Sequence, residues 1–515
     1  MQWSPRDPSI GASYFLNIDP ILLGGSPVSD NSQRTKTLGA VFVGVDVWGR
    51  HQYGGGGLNC YRAVTHIDPQ SLGFSVALFA PGWTWESQQD KPGWDWEQWW
   101  KFERQFWIGP SQADEIIPVP KPPEWPDDQP TRNEGPFQPI SAFFTHSPPP
   151  DPLKFIFYTS FSPGVGRAWF VNGAKVLETE KAWADIDKQC SIGNLAWPRP
   201  LLQWEGDVLT EDLPVASTGL DMTDGWNGGN VLKVSVVFGG SSSDDAFFRC
   251  IWIPVQSLIV TAQETYEACI VYKTSTGQAF DLDLSINVKS ISTEASLSIE
   301  PAIVTDLQHG WSQQTLKFIV TSMGSTSVAV GLIVGVAAED PTLPCTFALS
   351  LGQLAVYPSL PLPPVSVASP FVSWVNFIPT SAISKDSLTD LAGTLTWDTA
   401  LTLPVMNQIP LEERDPEDPH PAWILDSNQV DSCSSFLYFN IYIAGHTSTD
   451  ALDPLSALFI GTTGLDGRGN RFYVEPQCLP EGLAGKMAAR FYIQGVSNRG
   501  EVLPWDRCAY VDYKV

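Results

Sequence analysis

The sequence predicts a multidomain protein in which an α/β part is followed by all-β domains. In residues 1–110, continuous apolar runs alternate with helix-like stretches. After residue 154, short strand-like runs are separated by Gly, Ser, Asn and Pro, which is typical of antiparallel β domains. The chain has 515 residues. At about 150 residues per domain, that length allows roughly two to four domains, each able to bury its own core.

The first part of the chain is predicted to contain parallel strands joined by helices. Residues 40–48 (AVFVGVDVW) and 74–83 (FSVALFAPGW) are continuous apolar runs, as expected of parallel strands that are buried on both faces. A short crossover helix is predicted at residues 59–66 and a longer helix at 94–107, where apolar residues roughly follow the helical period. This order of strands and helices is that of βα units.

The remaining chain is predicted to be a linker followed by two β-sandwich domains. Residues 111–153 are rich in proline, which is excluded from helix interiors and central strands, so a linker is predicted there. Runs such as VLKVSVVF and DLDLSINV place a β-sandwich at residues 154–365. GTLTWD, FLYFNIYIA and ARFYIQGVS have a fibronectin-type-III-like spacing, which places a second one at residues 366–515.

Charge and composition disfavour several classes of partner. The chain carries 30 basic and 56 acidic residues and a net charge of −26, which opposes binding to nucleic acid and to anionic membranes. Its longest apolar run, residues 328–338, is shorter than the ~20 residues that span a bilayer. The start of the sequence does not look like a secretory signal, and the eight cysteines form no CxxC pair. Both features indicate reduced thiols and a cytosolic location.

Polar and aromatic side chains follow both predicted parallel strands. They are Asp46, Trp48, Arg50, Trp83, Trp85 and Glu86. The carboxyl ends of parallel strands carry the functional site in βα folds. Indole rings can cover the apolar face of a sugar ring while carboxylates accept hydrogen bonds from its hydroxyls, so this set suits a carbohydrate. The pattern alone leaves open that the tryptophans are core residues and that Glu86 is simply solvated.

Other kinds of site are not indicated. The glycine run at residues 54–57 fits neither phosphate-binding pattern, and it favours a tight loop beside a site or a plain flexible loop. The six histidines show no paired spacing, and GxSxG is absent from the sequence. No metal and no cofactor is therefore expected.

Longer motifs in the sequence resemble a known family. Residues 39–59 read GAVFVGVDVWGRHQYGGGGLN, and residues 73–86 read GFSVALFAPGWTWE. They resemble glycoside hydrolase family 85, the cytosolic endo-β-N-acetylglucosaminidases, in which a strand ending GVDVFGRG precedes a GGGxxN loop and a strand reading SVALFAPGWxYE. Residues 158–176 (YTSFSPGVGRAWFVNGAKV) and 224–232 (DGWNGGNVL) resemble later segments of the same family.

The resemblance implies a fold and an activity. The fold would be the C-terminal part of a TIM barrel, its last three βα units, followed by β-sandwich domains. The activity would be cleavage between the two N-acetylglucosamines of the N-glycan core, by a retaining mechanism in which the substrate's acetamido group attacks. In the family, an Asn orients that group and a Glu two residues later is the acid. No Asn in this sequence precedes a Glu at that spacing. No catalytic residue is therefore assigned, and this chain alone is expected to be inactive.

Carried over residue by residue, the resemblance implies a set of substrate-cleft residues. They are Asn17, Asp46, Trp48, Arg50, Trp83, Trp85 and Glu86. Asp46 and Glu86 would bind sugar hydroxyls. Trp83 and Trp85 would shape the walls of the cleft, whereas Arg50 could serve only to pair with a neighbouring carboxylate. The partner would be an N-glycan, free or on a glycoprotein. The missing Asn-x-Glu pair could reflect an incomplete gene model or a true remnant. The alternative function is a non-catalytic glycan-binding or scaffold protein built on the β-sandwich domains.

Overall fold

A computed structural model describes most of the chain in two compact units. The described residues are 38–50, 54–110, 115–120, 135–145, 147–196, 200–206, 211–242, 244–276, 280–291, 296–321, 324–359, 369–380, 388–402, 435–446, 453–465 and 470–514. Unit 1 comprises residues 1–148 and 196–199, and unit 2 comprises residues 149–195 and 200–515. Among the described residues, no helix is long and apolar enough to cross a membrane.

Unit 1 contains a parallel pair of strands with helices after each strand. Its described strands and α-helices are β1 (Phe42–Asp46), α1 (Cys60–Ile67), α2 (Pro69–Leu72), β2 (Ser75–Phe79), α3 (Trp83–Glu86) and α4 (Trp96–Ile108). β1 and β2 pair in parallel, with Phe42 opposite Ser75 and Asp46 opposite Phe79. The parallel pair, the crossover helix and the longer helix predicted from the sequence are confirmed. The last begins at Trp96 because Asp95 caps it, its Oδ1 accepting a hydrogen bond from the Gln98 N–H at 2.9 Å.

One face of this sheet is covered in the part of the chain that the structure describes. Val45 and Val47 are buried in a core that includes Val64 of α1. The opposite face is open, and Phe42 and Phe79 are 68% and 61% exposed. The expectation of burial on both faces is therefore wrong for the described elements, because α1 packs against one side of the sheet.

The Pro-rich segment contributes to the core of unit 1. Among its described residues, Ile117, Ile140 and Phe143 are buried in the same core as Val45. A buried amide anchors this segment, because Asn59 Nδ2 donates to the Pro120 carbonyl at 2.9 Å. The segment thus packs onto unit 1 at these points, and the domain boundaries drawn from the sequence stay predictions.

Unit 2 begins with a large antiparallel β region, residues 157–358. Its strands are β3 (Phe157–Thr159), β4 (Pro163–Val171), β5 (Ala174–Gln189), β6 (Gln203–Trp204), β7 (Val215–Asp221), β8 (Val231–Phe238), β9 (Phe248–Thr261), β10 (Thr265–Thr276), β11 (Phe280–Ser290), β12 (Leu297–Ile299), β13 (Ile303–Asp306), β14 (Ser312–Val320), β15 (Ser325–Ala338) and β16 (Cys345–Pro358). In the described part of this region, an eight-stranded sheet runs β12-β14-β10-β16-β8-β7, with β13 on β14 and β3 on β16. A four-stranded sheet runs β11-β15-β9-β6, and β4 with β5 forms a separate hairpin.

The two larger sheets are connected through a buried glutamine. Gln314 of β14 donates to the Leu284 carbonyl of β11 at 2.6 Å and accepts from the Ile286 N–H at 2.7 Å. The apolar run at residues 328–338 lies within β15, at the centre of the four-stranded sheet, with most of its side chains buried. The prediction that this run is a buried strand is confirmed.

The C-terminal β region, residues 369–514, completes unit 2. Its strands are β17 (Ser369–Pro379), β18 (Gly393–Thr402), β19 (Phe436–His446), β20 (Leu458–Thr462), β21 (Arg471–Val474), β22 (Ala488–Ser497) and β23 (Ala509–Lys514). Among the described residues, a three-stranded sheet runs β17-β18-β21 and a four-stranded sheet runs β20-β19-β22-β23. Trp397 and Phe439 are buried in a core that the two sheets share, with ring centroids 5.0 Å apart.

The β4–β5 hairpin packs against this C-terminal region. Trp169 of β4 is buried with Tyr438, Tyr442 and Phe459. Its indole N–H donates to Asn440 Oδ1 at 3.3 Å. Chain segments that are far apart in sequence are therefore joined inside unit 2 by a buried aromatic cluster.

Candidate functional site

Three of the predicted site residues lie together after β1. Asp46 ends the strand, and its Oδ2 accepts from Arg50 Nε at 2.9 Å. Its Oδ1 accepts from the Trp48 backbone N–H at 3.0 Å. The Arg50 hydrogen bond holds the pKa of Asp46 below its usual range. Trp48 itself is 40% exposed, so this strand end presents an ionised carboxylate beside an accessible indole.

Arg50 also reaches the second strand. Its guanidinium carbon lies 5.5 Å from the centroid of the Phe79 ring, at the end of β2. Phe79 is opposite Asp46 in the strand register. Arg50 therefore contacts both strand ends. It pairs with the Asp46 carboxylate and covers the Phe79 ring.

The glycine loop lies against the end of β1. The Gly57 N–H donates to the Val47 carbonyl at 2.6 Å. A Cβ on Gly49 would meet the Gly55 carbonyl oxygen at 2.2 Å, and one on Gly56 would meet the Gly49 nitrogen at 2.3 Å. Backbone approaches this close exclude side chains. The described part of the loop is thus tight and beside the candidate site.

Trp83 forms a wall between this loop and α4. A Cβ on Gly57 would meet Cζ2 of the Trp83 ring at 2.6 Å. On the other side, the ring centroids of Phe102 and Phe106 lie 5.3 and 6.4 Å from that of Trp83. Trp83 is half-buried, so part of its indole stays accessible.

Trp85 has different neighbours from Trp83. Its ring stacks on Trp96 with centroids 4.5 Å apart and an interplanar angle of 23°. Trp94 and Trp99 lie 6.2 and 6.5 Å away. Trp85 is therefore part of an aromatic cluster at the start of α4. Glu86, the last residue of α3, is exposed.

A partly buried hydrogen-bond network, which the sequence did not indicate, connects α3 to α4. Thr84, which is 1% exposed, donates to Glu103 Oε2, and Trp107 Nε1 donates to Glu103 Oε1 at 2.8 Å. Burial raises the pKa of Glu103, and these two hydrogen bonds oppose that rise. The available signal was a single carboxylate within the apolar stripe of the predicted helix.

Comparisons with known proteins bear on this site. Residues 25–169 match the family model for glycosyl hydrolase family 85. The resemblance to glycoside hydrolase family 85 is confirmed over this region. The family 85 match includes Asp46, Trp48, Arg50, Trp83, Trp85 and Glu86. The last predicted site residue, Asn17, lies outside both the match and the described residues.

The chain spans about a quarter of a curated relative. Cytosolic endo-beta-N-acetylglucosaminidase 1 of Arabidopsis thaliana is 23% identical over 209 residues, which are 40% of this chain and 23% of that protein. Among solved structures, the glycoside hydrolase domain of Endo-D from Streptococcus pneumoniae R6 has a TM-score of 0.45 and 15% identity, over 86% of this chain and 53% of that one.

The family 85 motifs in this chain mostly shape the backbone around the site. Asn59, at the end of the glycine motif, is buried and holds both the Pro120 carbonyl and Arg62 Nε. The glycines allow the loop to approach β1 and the Trp83 ring. The groups that remain accessible to a ligand are those of Asp46, Trp48, Arg50, Trp83, Trp85 and Glu86, in part or in full.

Proposed function

We propose that this chain is the C-terminal part of an endo-β-N-acetylglucosaminidase-type glycoside hydrolase that acts on the chitobiose core of N-glycans. The observation that carries the proposal is the family 85 region itself, whose parallel strand pair ends in Asp46 and Arg50 and is followed by the Trp83 wall. The proposed architecture is the last part of a TIM barrel followed by β-sandwich domains, the second fibronectin-type-III-like. The proposed location is the cytosol.

The proposed mechanism is retaining and substrate-assisted. The acetamido oxygen of the substrate attacks the anomeric carbon, while an acid protonates the leaving oxygen. The Asn-x-Glu pair that would orient the acetamido group and supply the proton does not occur in this sequence. The described residues would therefore bind rather than cleave. Asp46 and Glu86 would accept hydrogen bonds from sugar hydroxyls, and Trp83, Trp85 and Trp48 would cover sugar C–H faces.

The test is binding of N,N′-diacetylchitobiose to the full chain, measured by titration calorimetry. Trp83→Ala and Glu86→Gln are each expected to weaken binding about tenfold, the effect of losing a ring contact or a hydrogen bond to a charged group. Trp374→Ala is the matched control, because Trp374 is a 46% exposed tryptophan in the C-terminal β region. Binding that survives Trp83→Ala and Glu86→Gln would contradict the proposed site and favour glycan binding by the β regions.

A further inference from the structure

The short helix α3 carries the residues on which the proposed site depends, yet it cannot hold its own position. It has four residues, Trp83–Glu86, and Gly82, which precedes it, provides no side-chain cap. A single helical turn is unstable in isolation, because the conformational entropy lost in forming the first turn outweighs the free energy of its hydrogen bonds. Tertiary contacts must therefore decide where Trp83 points.

A side-chain hydrogen bond between Thr84 and Glu103 joins α3 to α4. The Thr84 hydroxyl donates to Glu103 Oε2, and the Pro81 carbonyl oxygen lies 3.4 Å from the same hydroxyl. Trp107 holds the other carboxylate oxygen at 2.8 Å. Both partners lie on secondary structure, and α4 has 13 residues. Glu103 thus lies on the long helix α4 and accepts a hydrogen bond from the middle of the short helix α3.

The position of Glu103 on α4 relates this contact to Trp83. The two rings that contact Trp83, Phe102 and Phe106, flank Glu103 on the same helix. Thr84 is the residue next to Trp83 in sequence. A shift of Thr84 relative to Glu103 would therefore move the Trp83 indole against both Phe102 and the Gly57 backbone.

Packing alone does not account for a carboxylate at this position. The described hydrogen-bond partners of Glu103 are a hydroxyl and an indole N–H, both neutral, and burying a carboxylate without a charged partner is costly. An apolar side chain would fill the same space without that cost. A carboxylate that accepts two directed hydrogen bonds fixes orientation, which an apolar side chain does not.

We infer that Thr84 and Glu103 are positioning residues, which hold the Trp83 indole in the orientation that binds the glycan. This inference rests on the proposed function, because it assigns Trp83 to the glycan site. Neither Thr84 nor Glu103 would touch the sugar. Their effect would be transmitted through α3, whose orientation relative to α4 they determine.

The experiment labels the full chain with 5-fluorotryptophan and compares Thr84→Val with Thr84→Ser. The resonance of Trp83 among the 21 tryptophans is assigned from its loss in Trp83→Phe. Thr84→Val keeps the shape of the side chain and removes the hydroxyl, whereas Thr84→Ser restores it. The matched control is Thr65→Val, which removes a similar hydroxyl hydrogen bond, from Thr65 Oγ1 to the Tyr61 carbonyl at 2.7 Å, on α1 of the same unit.

Thr84→Val is expected to shift or broaden the Trp83 resonance and to weaken N,N′-diacetylchitobiose binding about tenfold, whereas Thr84→Ser stays within about twofold of the parent chain. Thr65→Val should leave both readouts unchanged. The inference is overturned if Thr84→Val leaves the Trp83 resonance in place, if Thr84→Ser does not restore it, or if Thr65→Val has the same effect. If the parent chain does not bind the sugar, the proposed function fails, and the Trp83 resonance alone decides whether Thr84 positions that ring.

Discussion

Gly57 shows how one residue without a side chain fixes the candidate site. Its backbone lies at φ +56°, in the left-handed region that side chains disfavour. Its Cα also lies against the Trp83 ring, where a Cβ would meet Cζ2 at 2.6 Å. Two separate constraints, backbone conformation and ring contact, therefore require glycine at this position.

Gly57→Ala is expected to destabilise unit 1 and to displace Trp83, because it adds a steric clash of about 1–3 kcal/mol to the backbone strain. Gly73→Ala is the matched control. Gly73 lies at φ +77°, and a Cβ at this position would have no heavy atom within 4 Å, so the variant would report backbone strain alone. Thermal unfolding of the two variants gives the difference. Equal losses of stability would show that the Trp83 ring moves aside freely.

Candidate site residues were easiest to locate from the sequence when they directly follow a predicted strand. Asp46 and Trp83 could be located because an apolar run marks each strand and its end. The partner of Trp85 could not be predicted, since its stacking on Trp96 depends on how α3 turns back onto α4. Glu103 was missed for the same reason, because its partner Thr84 is 19 residues away.

At the scale of elements, α3 and α4 behave as one structural piece joined through Glu103. Thr84 and Trp107 donate to its two carboxylate oxygens, yet burial still raises its pKa. Because the raised pKa favours the protonated carboxyl more in the folded than in the unfolded chain, the stability that this group contributes is fully present below its ordinary pKa of 4.5 and is lost as pH rises through the raised value. We therefore expect the stability of the junction between these helices to depend on pH.

Glu103→Gln removes this titration. We expect the melting temperature of the parent chain, relative to that of Glu103→Gln, to decrease as pH rises from about 4 to 7, since only the parent chain must ionise this partly buried carboxyl. Differential scanning calorimetry across this range measures the difference. Glu97→Gln, on the exposed face of the same helix, is the control. If the difference in melting temperature between the parent chain and Glu103→Gln does not change with pH, the raised pKa assigned to Glu103 is contradicted.

The strands and helices of unit 1 were largely predictable from the sequence, but the segments that pack against them were not. Continuous apolar runs indicated β1 and β2, and periodicity indicated α4 to within two residues at its start. The packing of Ile117, Ile140 and Phe143 into the core of unit 1 could not be predicted from the sequence, because isolated apolar residues among prolines have no periodicity. Such contacts depend on tertiary structure alone.

At the scale of the whole molecule, Asn227 connects separate parts of unit 2. It is 2% exposed and lies in the DGWNGGNVL motif. Its Oδ1 accepts from the Asn172 N–H, in the turn of the β4–β5 hairpin, at 2.9 Å. Its Nδ2 donates to the Gly500 carbonyl, in the turn after β22, at 3.1 Å, and lies 3.5 Å from Gln353 of β16. The sequence indicated that this motif resembles a family segment. It could not predict that Asn227 connects separate parts of unit 2, because one of its contacts is with a residue 273 positions away.

Asn227→Ala is expected to loosen the hairpin and the C-terminal β region together. It removes the partner of the Asn172 N–H and of the Gly500 carbonyl, which costs about 1–3 kcal/mol for each group that water does not reach. Hydrogen exchange measured by mass spectrometry should therefore speed up in residues 163–189 and in residues 495–503 of the same variant. Asn287→Ala is the control, because the described hydrogen bond of the Asn287 side chain is local, from the neighbouring Val288 N–H. Faster exchange confined to the segment around residue 227 would contradict this role of Asn227. The hairpin and the C-terminal region would then be held together by apolar contacts alone, such as those of Trp169 and Tyr438.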